Sequence, residues 1–388
     1  MIIKLTLLYC LLIGFSYAEL STLRSVVDEL LHKTKNLTTQ FKTNTGNAIK
    51  KFVNGTKDVL DKVNEGAFNV SKGIISGLTE VIGTPVTLKD LTFNLVTSEN
   101  VDNAIEIDFY NPGDIWQNES NIYFLIHGWQ ASKDTEWIQN ASKIFLSKQP
   151  DAQVVQVDWK KPAKDLYSLS AFETESAGEL IGAFIDLLIT NYHVPMKNIV
   201  IIGHSLGGHI AGWAGKKFQE MNGVKLPRII ALDPAGPLFH LRPDSMKLNK
   251  DDAVVVMVIH TDGDKLGYKS ACGTIDFFPN GGRDQPGCWD IDLGNLSTYT
   301  GPVTCDHSRA WQFFNEAIDV PDSFLSWQCE SYKDFRDGKC QNNLIVPMSD
   351  IETEEQGEFY LITNYDPPYS IPLNNYETPN KKRRRRTI

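Results

Sequence analysis

Long hydrophobic runs and positive charge are both scarce in this 388-residue chain. Beyond residue 18, no segment approaches the ~20 apolar residues that a membrane-spanning helix needs, so we expect no transmembrane span. The formal net charge is −10, and subtracting the six basic residues at 381–386 leaves −16 for the rest. An acidic body argues against nucleic acid as a partner. The composition, 41% hydrophobic and 22% charged, is that of a globular protein rather than a disordered one.

Cysteine is also scarce, with six residues in the chain. Residues 1–18 predict a secretory signal peptide, because Lys4 precedes an apolar run at 5–15 and Ser16-Tyr17-Ala18 is a small-x-small cleavage site. The alternative is a signal anchor, but the run is too short to span a bilayer comfortably. We therefore expect a secreted, extracellular protein. Loss of Cys10 with the signal leaves five cysteines, for which two disulfides and one odd thiol are the simplest count.

Six Asn-x-Ser/Thr sequons agree with export. Three of them lie in residues 19–86, where apolar side chains such as Leu20, Leu23 and Val27 recur at helical spacing. This pattern predicts an amphipathic helical, glycosylated extension, which is either a lipid- or partner-binding segment or a solubilising stalk or pro-segment. Mixed-charge surface helices seldom bind membranes, which favours the second alternative. The predicted glycosylation sites are Asn36, Asn54, Asn69, Asn118, Asn140 and Asn295.

Beyond Gly83-Thr84-Pro85 the hydrophobic period changes from helical to strand-like. Short β-rich runs alternate with helical stretches, notably 168–189 and 208–218. The alternation predicts an α/β domain at 87–370 with a mostly parallel central sheet, helices on both faces, and a site at the carboxyl ends of the strands. The predicted strands are 91–96, 104–110, 121–126, 152–157, 198–202, 228–232 and 253–259.

The strand predicted at 198–202 runs directly into Gly203-His204-Ser205-Leu206-Gly207 and then into a helical pattern. A strand, a sharp Gly-x-Ser-x-Gly turn and a helix form a nucleophile elbow, with Ser205 at its tip. Side chains at positions 203 and 207 would collide with the strand and helix that meet there. The alternative is an ordinary glycine-rich turn, but the flanking strand and helix favour a nucleophile.

A serine nucleophile needs a histidine base and an acid that orients the base, and after an elbow the expected order is serine, acid, histidine. Asp233 ends the next strand, where that acid belongs. His240 follows the acid too closely and His260 ends a strand. His307 is left as the base, and it is predicted to open a helix directly after Cys305. His204 and His209 flank the serine but are expected to face away from it, as structural residues.

Acyl transfer also needs hydrogen-bond donors for the tetrahedral oxyanion. We predict the backbone N–H groups of Leu206, which follows the nucleophile, and of Trp129, in the strand-end loop His127-Gly128-Trp129. Gly128 would let this loop turn inward towards the serine.

These motifs resemble the secreted pancreatic-lipase family, whose members have the α/β-hydrolase fold. The resemblance rests on Tyr123 to Trp129, Val157-Asp158-Trp159, Gly203 to His209, Leu232 to Pro237, Asp276 to Gly282 and Cys305-Asp306-His307. Within that family the chain looks most similar to insect lipases and phospholipases of the A1 type. The resemblance implies the same triad, Ser205, Asp233 and His307.

The resemblance further implies disulfides Cys288–Cys305 and Cys329–Cys340, which leaves Cys272 unpaired. It also implies a lid at 289–304, which is short, as is the loop at 263–275; short loops over the site are the phospholipase pattern of this family. We therefore expect a lipid carboxylic-ester hydrolase that forms an acyl-enzyme at a membrane or lipid-droplet surface and cleaves phospholipid as a phospholipase A1. The alternatives are a triacylglycerol or general neutral lipase and, from another class, a catalytically weak yolk-type lipid-binding protein.

Two departures from the family pattern bear on cofactors and partners. Its structural calcium loop corresponds to Asp244, Lys247, Asn249 and Asp252, where an amide replaces one carboxylate, so calcium is doubtful and no cofactor is expected. Too few residues follow Cys340 for the family's C-terminal β-sandwich, so a colipase partner is not expected. The basic tail at 371–388 is predicted to be disordered, and it either binds an anionic surface or serves only as a processing site or chain end.

Overall fold

A computed structural model describes residues 85–113, 115–116, 120–288 and 302–372. The predicted signal peptide, the extension up to residue 84, most of the tail and residues 289–301 of the lid predicted at 289–304 lie outside these ranges. Five of the six predicted glycosylation sites also lie outside them, namely Asn36, Asn54, Asn69, Asn118 and Asn295.

Eleven strands of the described chain form one sheet in the order β10-β9-β11-β8-β7-β6-β5-β3-β4-β1-β2. The seven strands from β11 to β4 in this order pair in parallel, and antiparallel pairs occur only at the two ends of the sheet. The α/β-hydrolase class with a mostly parallel sheet is therefore confirmed. The strands are β1 Thr92–Val96, β2 Ile105–Ile107, β3 Ile122–Ile126, β4 Gln153–Asp158, β5 Ile199–His204, β6 Arg228–Leu232, β7 Val255–Ile259, β8 Ile275–Pro279, β9 Leu325–Gln328, β10 Ile345–Pro347 and β11 Gly357–Leu361.

All seven strands predicted from the sequence are present, six of them within two residues at each end. The prediction at 104–110 was too long, because β2 is an edge strand of three residues in which Ile105 is exposed to solvent. Strands β8 to β11 were not predicted. All four have five residues or fewer, and alternation of apolar and polar side chains over so few residues is too brief to give a period.

Helices cover both faces of the sheet, as predicted. Side chains of α3 and α4 pack with one set of strand residues, including Phe124 and Ile201, and side chains of α1 and α5 pack with the alternate set, including Leu125 and Ile202. No helix within the described ranges is long and apolar enough to cross a membrane. The helices are α1 Glu136–Lys148, α2 Lys160–Ala163, α3 Tyr167–Asn191, α4 Leu206–Asn222, α5 Pro302–Asp319 and α6 Tyr332–Arg336.

The middle of the sheet positions the functional residues. In register, His204 of β5 lies beside Leu232 of β6, and Leu232 lies beside Ile259 of β7. Because these strands are parallel, the residues that follow each of them emerge at the same edge of the sheet. The chain beyond β5, β6 and β7 therefore brings Ser205, Asp233 and the segment from His260 to Asp262 together.

Candidate active site

Ser205 lies at the junction of β5 and α4 in a backbone conformation that L-residues rarely adopt, with φ 58° and ψ −122°. The residues two positions before and two positions after Ser205 must be glycines. A Cβ on Gly203 would lie 2.1 Å from the carbonyl oxygen of Gly207, and a Cβ on Gly207 would lie 2.3 Å from the carbonyl oxygen of Ile126. Such a strained turn projects the serine side chain above the sheet, which is the geometry predicted for a nucleophile elbow.

Asp233 follows β6 directly and is fully buried. Its Oδ2 atom lies 2.6 Å from Nδ1 of His307. Its other carboxylate oxygen accepts hydrogen bonds from the backbone N–H groups of Thr261 (2.8 Å) and Asp262 (3.2 Å). The two backbone hydrogen bonds to Oδ1 hold the carboxylate in place. The carboxylate in turn fixes the tautomer and the orientation of the imidazole.

His307 is held from its own helix and from the neighbouring loops. Helix α5 begins at Pro302, so the prediction that His307 opens this helix was wrong; it lies in the second turn. The adjacent Asp306 carboxylate contacts Nζ of Lys265 at 2.7 Å and accepts a hydrogen bond from the backbone N–H of Gln285 at 2.7 Å. The Ser205 hydroxyl donates no hydrogen bond to His307 in the described chain; in unliganded hydrolases this contact is often long and tightens when substrate binds.

His204 does not face away from the site, contrary to the prediction. Its Nε2 atom lies 3.2 Å from the carbonyl oxygen of His307, and the two imidazole rings pack with their centroids 4.6 Å apart. Burial, followed by the proximity of His307, holds the pKa of His204 well below its usual value. His204 is therefore neutral and donates Nε2–H to the His307 carbonyl. The sequence-based expectation failed because side-chain direction at the last residue of a strand depends on the turn that follows.

The other histidines near the site are structural. His209 accepts a hydrogen bond from the backbone N–H of Leu248 at 3.1 Å and donates one to the carbonyl of Ala235 at 2.8 Å. Burial lowers its pKa to about 3, so it stays neutral. His260 is buried with Nε2 2.8 Å from Asp276, and His240 stacks on Tyr268.

The loop that carries Trp129 lies against Ser205. A Cβ on Gly128 would lie 2.8 Å from Cβ and 3.4 Å from Oγ of Ser205, so only glycine fits there. The indole N–H of Trp159 donates to the carbonyl of His127 at 2.8 Å, and the indole N–H of Trp129 donates to the carbonyl of Asp165 at 2.8 Å. In the described chain, the backbone N–H groups of Trp129 and Leu206 have no hydrogen-bond acceptor. Both donors are thus available at the two sides of Ser205.

Asp262 is a site residue that the sequence analysis did not single out. It is fully buried beside Asp233, and its Oδ1 atom accepts no hydrogen bond from the described residues. Its other oxygen accepts from the backbone N–H of Leu266 at 3.2 Å. Burial, followed by repulsion from Asp233, raises the pKa of Asp262 to about 8. The Asp262 carboxyl is therefore protonated at neutral pH. It lies three residues after the predicted strand at 253–259, which places it near the carboxyl edge of the sheet but gives no sign of its contact with Asp233.

Both cysteine pairs expected from the resemblance are disulfides in the structure. Cys288–Cys305 has a Cα–Cα distance of 5.5 Å and joins the end of one described segment to the first turn of α5. Cys329–Cys340 has a Cα–Cα distance of 5.7 Å. Cys272 is a free thiol, and burial raises its pKa well above the usual value, so it is not a reactive thiolate.

Two groups of side chains in the described chain are close enough to share a metal ion. One contains His260, Cys272 and Asp276, and the other contains Asp233, Asp262 and His307. The second group is the site itself, where the Asp233–His307 hydrogen bond already uses the atoms that a metal would need.

The predicted glycosylation site Asn140 is exposed on α1, while the serine of its sequon, Ser142, is buried and donates to the carbonyl of Ile138.

The profile of the Lipase family matches residues 68–369, well over half of the chain. The chain belongs to the lipase family. Curated relatives include Lipase member H of Mus musculus, with 38% identity over 56% of this chain and 46% of that protein. Two proteins of Homo sapiens are also similar: Inactive pancreatic lipase-related protein 1, with 34% identity over 64% of this chain and 56% of that protein, and Pancreatic lipase-related protein 2, with 32% identity over 65% and 56%.

This lipase-family chain spans about half the length of the curated relatives it matches. Among solved structures, a carboxylesterase from Mesorhizobium loti superimposes with a TM-score of 0.30 at 15% identity, over 47% of this chain and 76% of that one. The resemblance to the pancreatic-lipase family that the motifs indicated is confirmed by the profile and the relatives.

Proposed function

We propose that this protein is a secreted lipid carboxylic-ester hydrolase that uses Ser205, His307 and Asp233 as a catalytic triad. The observation that carries the proposal is the buried 2.6 Å contact between Asp233 and His307 at the same sheet edge as the strained Ser205. Burial of an unpaired carboxylate destabilises the fold, and the carboxylate of Asp233 is paired with an imidazole. Family membership supports the same class of chemistry.

In the proposed mechanism, Ser205 Oγ attacks the ester carbonyl while Nε2 of His307 accepts the hydroxyl proton. Asp233 holds the Nδ1–H and stabilises the imidazolium that forms. The N–H groups of Trp129 and Leu206 donate to the oxyanion, and loss of one such donor costs about 10²- to 10³-fold in turnover. The tetrahedral intermediate then expels the alcohol, which takes its proton from His307. Water, activated by the same histidine, releases the fatty acid from the acyl-enzyme.

We propose phospholipid as the substrate, cleaved as by a phospholipase A1. Support comes from the loop at 263–274, which is short and held by two ion pairs. Asp264 pairs with Lys269 of the same loop at 3.1 Å and with Arg283, which follows β8, at 3.0 Å. A loop fixed in this way forms no large flap over the site and leaves room for a polar headgroup. The tail at 373–388 lies outside the described chain; its basic residues are proposed to add affinity for anionic lipid.

A triacylglycerol lipase is the second candidate, favoured by the relatives whose names describe pancreatic lipases. A catalytically weak lipid-binding protein is the third, since the name of one similar relative describes it as inactive. Labelling by a serine-directed organophosphonate separates the third candidate from the other two. We expect labelling of the folded protein and none of Ser205→Ala; an unlabelled folded protein would favour the binding role.

A substrate panel separates the two enzymes. Fatty acid release is measured from phosphatidylcholine vesicles and from a triglyceride emulsion, and the position of the released chain is determined. We expect release from the sn-1 position of phospholipid, and abolition by Ser205→Ala. Preference for the emulsion would replace the phospholipase assignment with that of a triacylglycerol lipase, and unchanged hydrolysis by Ser205→Ala would contradict the mechanism itself.

A further inference from the structure

Three oxygen atoms converge between α4 and the loop that follows β6. They are the carbonyl oxygens of Asp244 and Lys247 and the Oδ1 atom of Asp252, and all three face the side-chain amide of Asn249, at 2.8, 3.4 and 3.0 Å from Nδ2. Carbonyl and carboxylate oxygens are the ligands that calcium prefers. These are the positions to which the family resemblance assigns a structural calcium loop.

Hydrogen-bond donors occupy the centre of this oxygen cluster, where a calcium ion would have to bind. Nζ of Lys216, on α4, donates to the carbonyl of Lys247 at 2.8 Å and to Oδ1 of Asp252. Both donors, the ammonium of Lys216 and the amide of Asn249, therefore point into the centre of the oxygen cluster. A calcium ion there would have to displace a positively charged group from its hydrogen bonds, and charge repulsion opposes this.

The carboxylates also give too little negative charge for a divalent ion. Asp252 is buried, but Asp244 directs its carboxylate outward to Nζ of Lys247, at 2.9 Å. The same Lys247 ammonium donates to the carbonyl of Arg242 at 2.7 Å. The buried Asp252 carboxylate and the half-buried Lys216 ammonium together are neutral, whereas calcium sites depend on several anionic ligands for affinity.

The cluster joins the loop to the helix that begins after Ser205. Asp252 packs against the glycines of α4: a Cβ on Gly215 would lie 2.1 Å from its carbonyl oxygen, and a Cβ on Gly212 would lie 2.7 Å from its Oδ2 atom. Oδ2 of Asp252 also accepts from the backbone N–H of Asn249 at 2.9 Å. The Lys216 side chain adds a hydrogen bond from α4 to the carbonyl of Lys247 in the loop.

We infer that Lys216 takes the place of a divalent cation, so that its ammonium ties the loop at 243–252 to α4 and the fold does not depend on calcium. The inference concerns stability and does not rest on the proposed enzymatic function. In this member of the family, the cation at the loop is supplied by a side chain of α4.

The experiment compares thermal unfolding of the full secreted chain in EDTA and in excess calcium, and measures sensitised terbium luminescence, which Trp213 beside Lys216 can excite. We expect midpoints that agree within about 1 °C and no terbium signal above that of free terbium, because a ligand that does not bind the folded state does not stabilise it. A midpoint that falls in EDTA and recovers with calcium, or saturable terbium binding, would overturn the inference.

Two variants test the role of the ammonium. Lys216→Met should lower the unfolding midpoint by about 5 °C or more, because it leaves Asp252 buried without its partner. The matched control is Lys217→Met on the same helix. Its ammonium pairs with the exposed Glu220, and its loss should have little effect. Equal midpoints for the two variants would contradict the inference.

The double variant Lys216→Met, Asn249→Asp replaces the two inward-pointing donors by an apolar group and a second carboxylate. We expect it to bind terbium and to be stabilised by calcium over EDTA, because the oxygen cluster is then free of positive charge. If the single variant does not fold, the measurements on the unaltered chain still decide the question.

Discussion

The protonated carboxyl of Asp262 gives the sharpest test of the site's electrostatics. Its pKa is raised from 3.8 to about 8 by burial and by the adjacent Asp233, so the folded protein holds a proton that the unfolded chain loses above pH 4. A group with a raised folded-state pKa stabilises the fold fully below its unfolded pKa, and this contribution is lost as pH rises through the folded value. Stability should therefore fall between about pH 4 and pH 8.

The magnitude follows from linkage at ~1.4 kcal/mol for each pH unit, and the whole interval corresponds to an upper limit of about 6 kcal/mol. Asp262→Asn keeps the shape of the neutral carboxyl but cannot ionise, so this slope should disappear. The amide brings an unmatched N–H, which costs about 1–3 kcal/mol at every pH. The slope against pH is thus diagnostic, whereas the absolute difference at one pH is not.

The assay is urea unfolding of the unaltered protein and of Asp262→Asn at several pH values from 5 to 8. We expect the free energy of unfolding of Asp262→Asn relative to the unaltered protein to rise with pH, by up to ~1.4 kcal/mol per unit. Asp134→Asn is the control, because the Asp134 side chain is exposed and should not change the slope. Parallel curves for Asp262→Asn and the unaltered protein would refute a neutral Asp262.

Three further perturbations follow from the packing. His204→Phe keeps a ring against His307 but removes the donor to its carbonyl, so kcat for ester hydrolysis should fall about 5- to 10-fold with little change in KM; an unchanged kcat would exclude a positioning role. Gly178→Ala would put a Cβ 2.3 Å from Cβ of Trp213 and should cost about 1–3 kcal/mol in urea unfolding, unless α3 and α4 separate freely. Cys305→Ser opens a disulfide of sequence separation 17 and should cost about 3 kcal/mol by the same assay; a smaller loss would point to a strained native link.

The three residues of the proposed triad could be found in the sequence because their positions depend largely on local patterns. Ser205 and Asp233 each end a β-branched run, and parallel strands put the residues that follow them at one edge. His307 was found by elimination, and its place in α5 was wrong by one turn because helix starts depend on capping and on the Cys288–Cys305 link rather than on periodicity.

The supporting residues could not be predicted in the same way. Asp262 is remote from Asp233 along the chain, and only the pairing of β6 with β7 brings the two together. The contact between His204 and His307 depends on how α5 lies across the elbow. Similarly, Lys216 looks like a surface residue in a helical pattern until the loop at 243–252 folds over it. Long-range packing decides all three, and a single sequence carries no local signal for it.

Charge at the carboxyl edge of the sheet follows one rule, which explains why Asp262 holds a proton. A buried carboxylate is tolerated where a nearby side chain donates a short hydrogen bond to it. Asp233 has His307 at 2.6 Å, and Asp276 has His260 at 2.8 Å. Asp262 accepts one backbone hydrogen bond, from Leu266, and Nζ of Lys265 lies 4.0 Å from its Oδ1 atom but 2.7 Å from Asp306. Protonation of Asp262 therefore keeps a second negative charge away from Asp233, so that the charge of Asp233 acts on the imidazole alone.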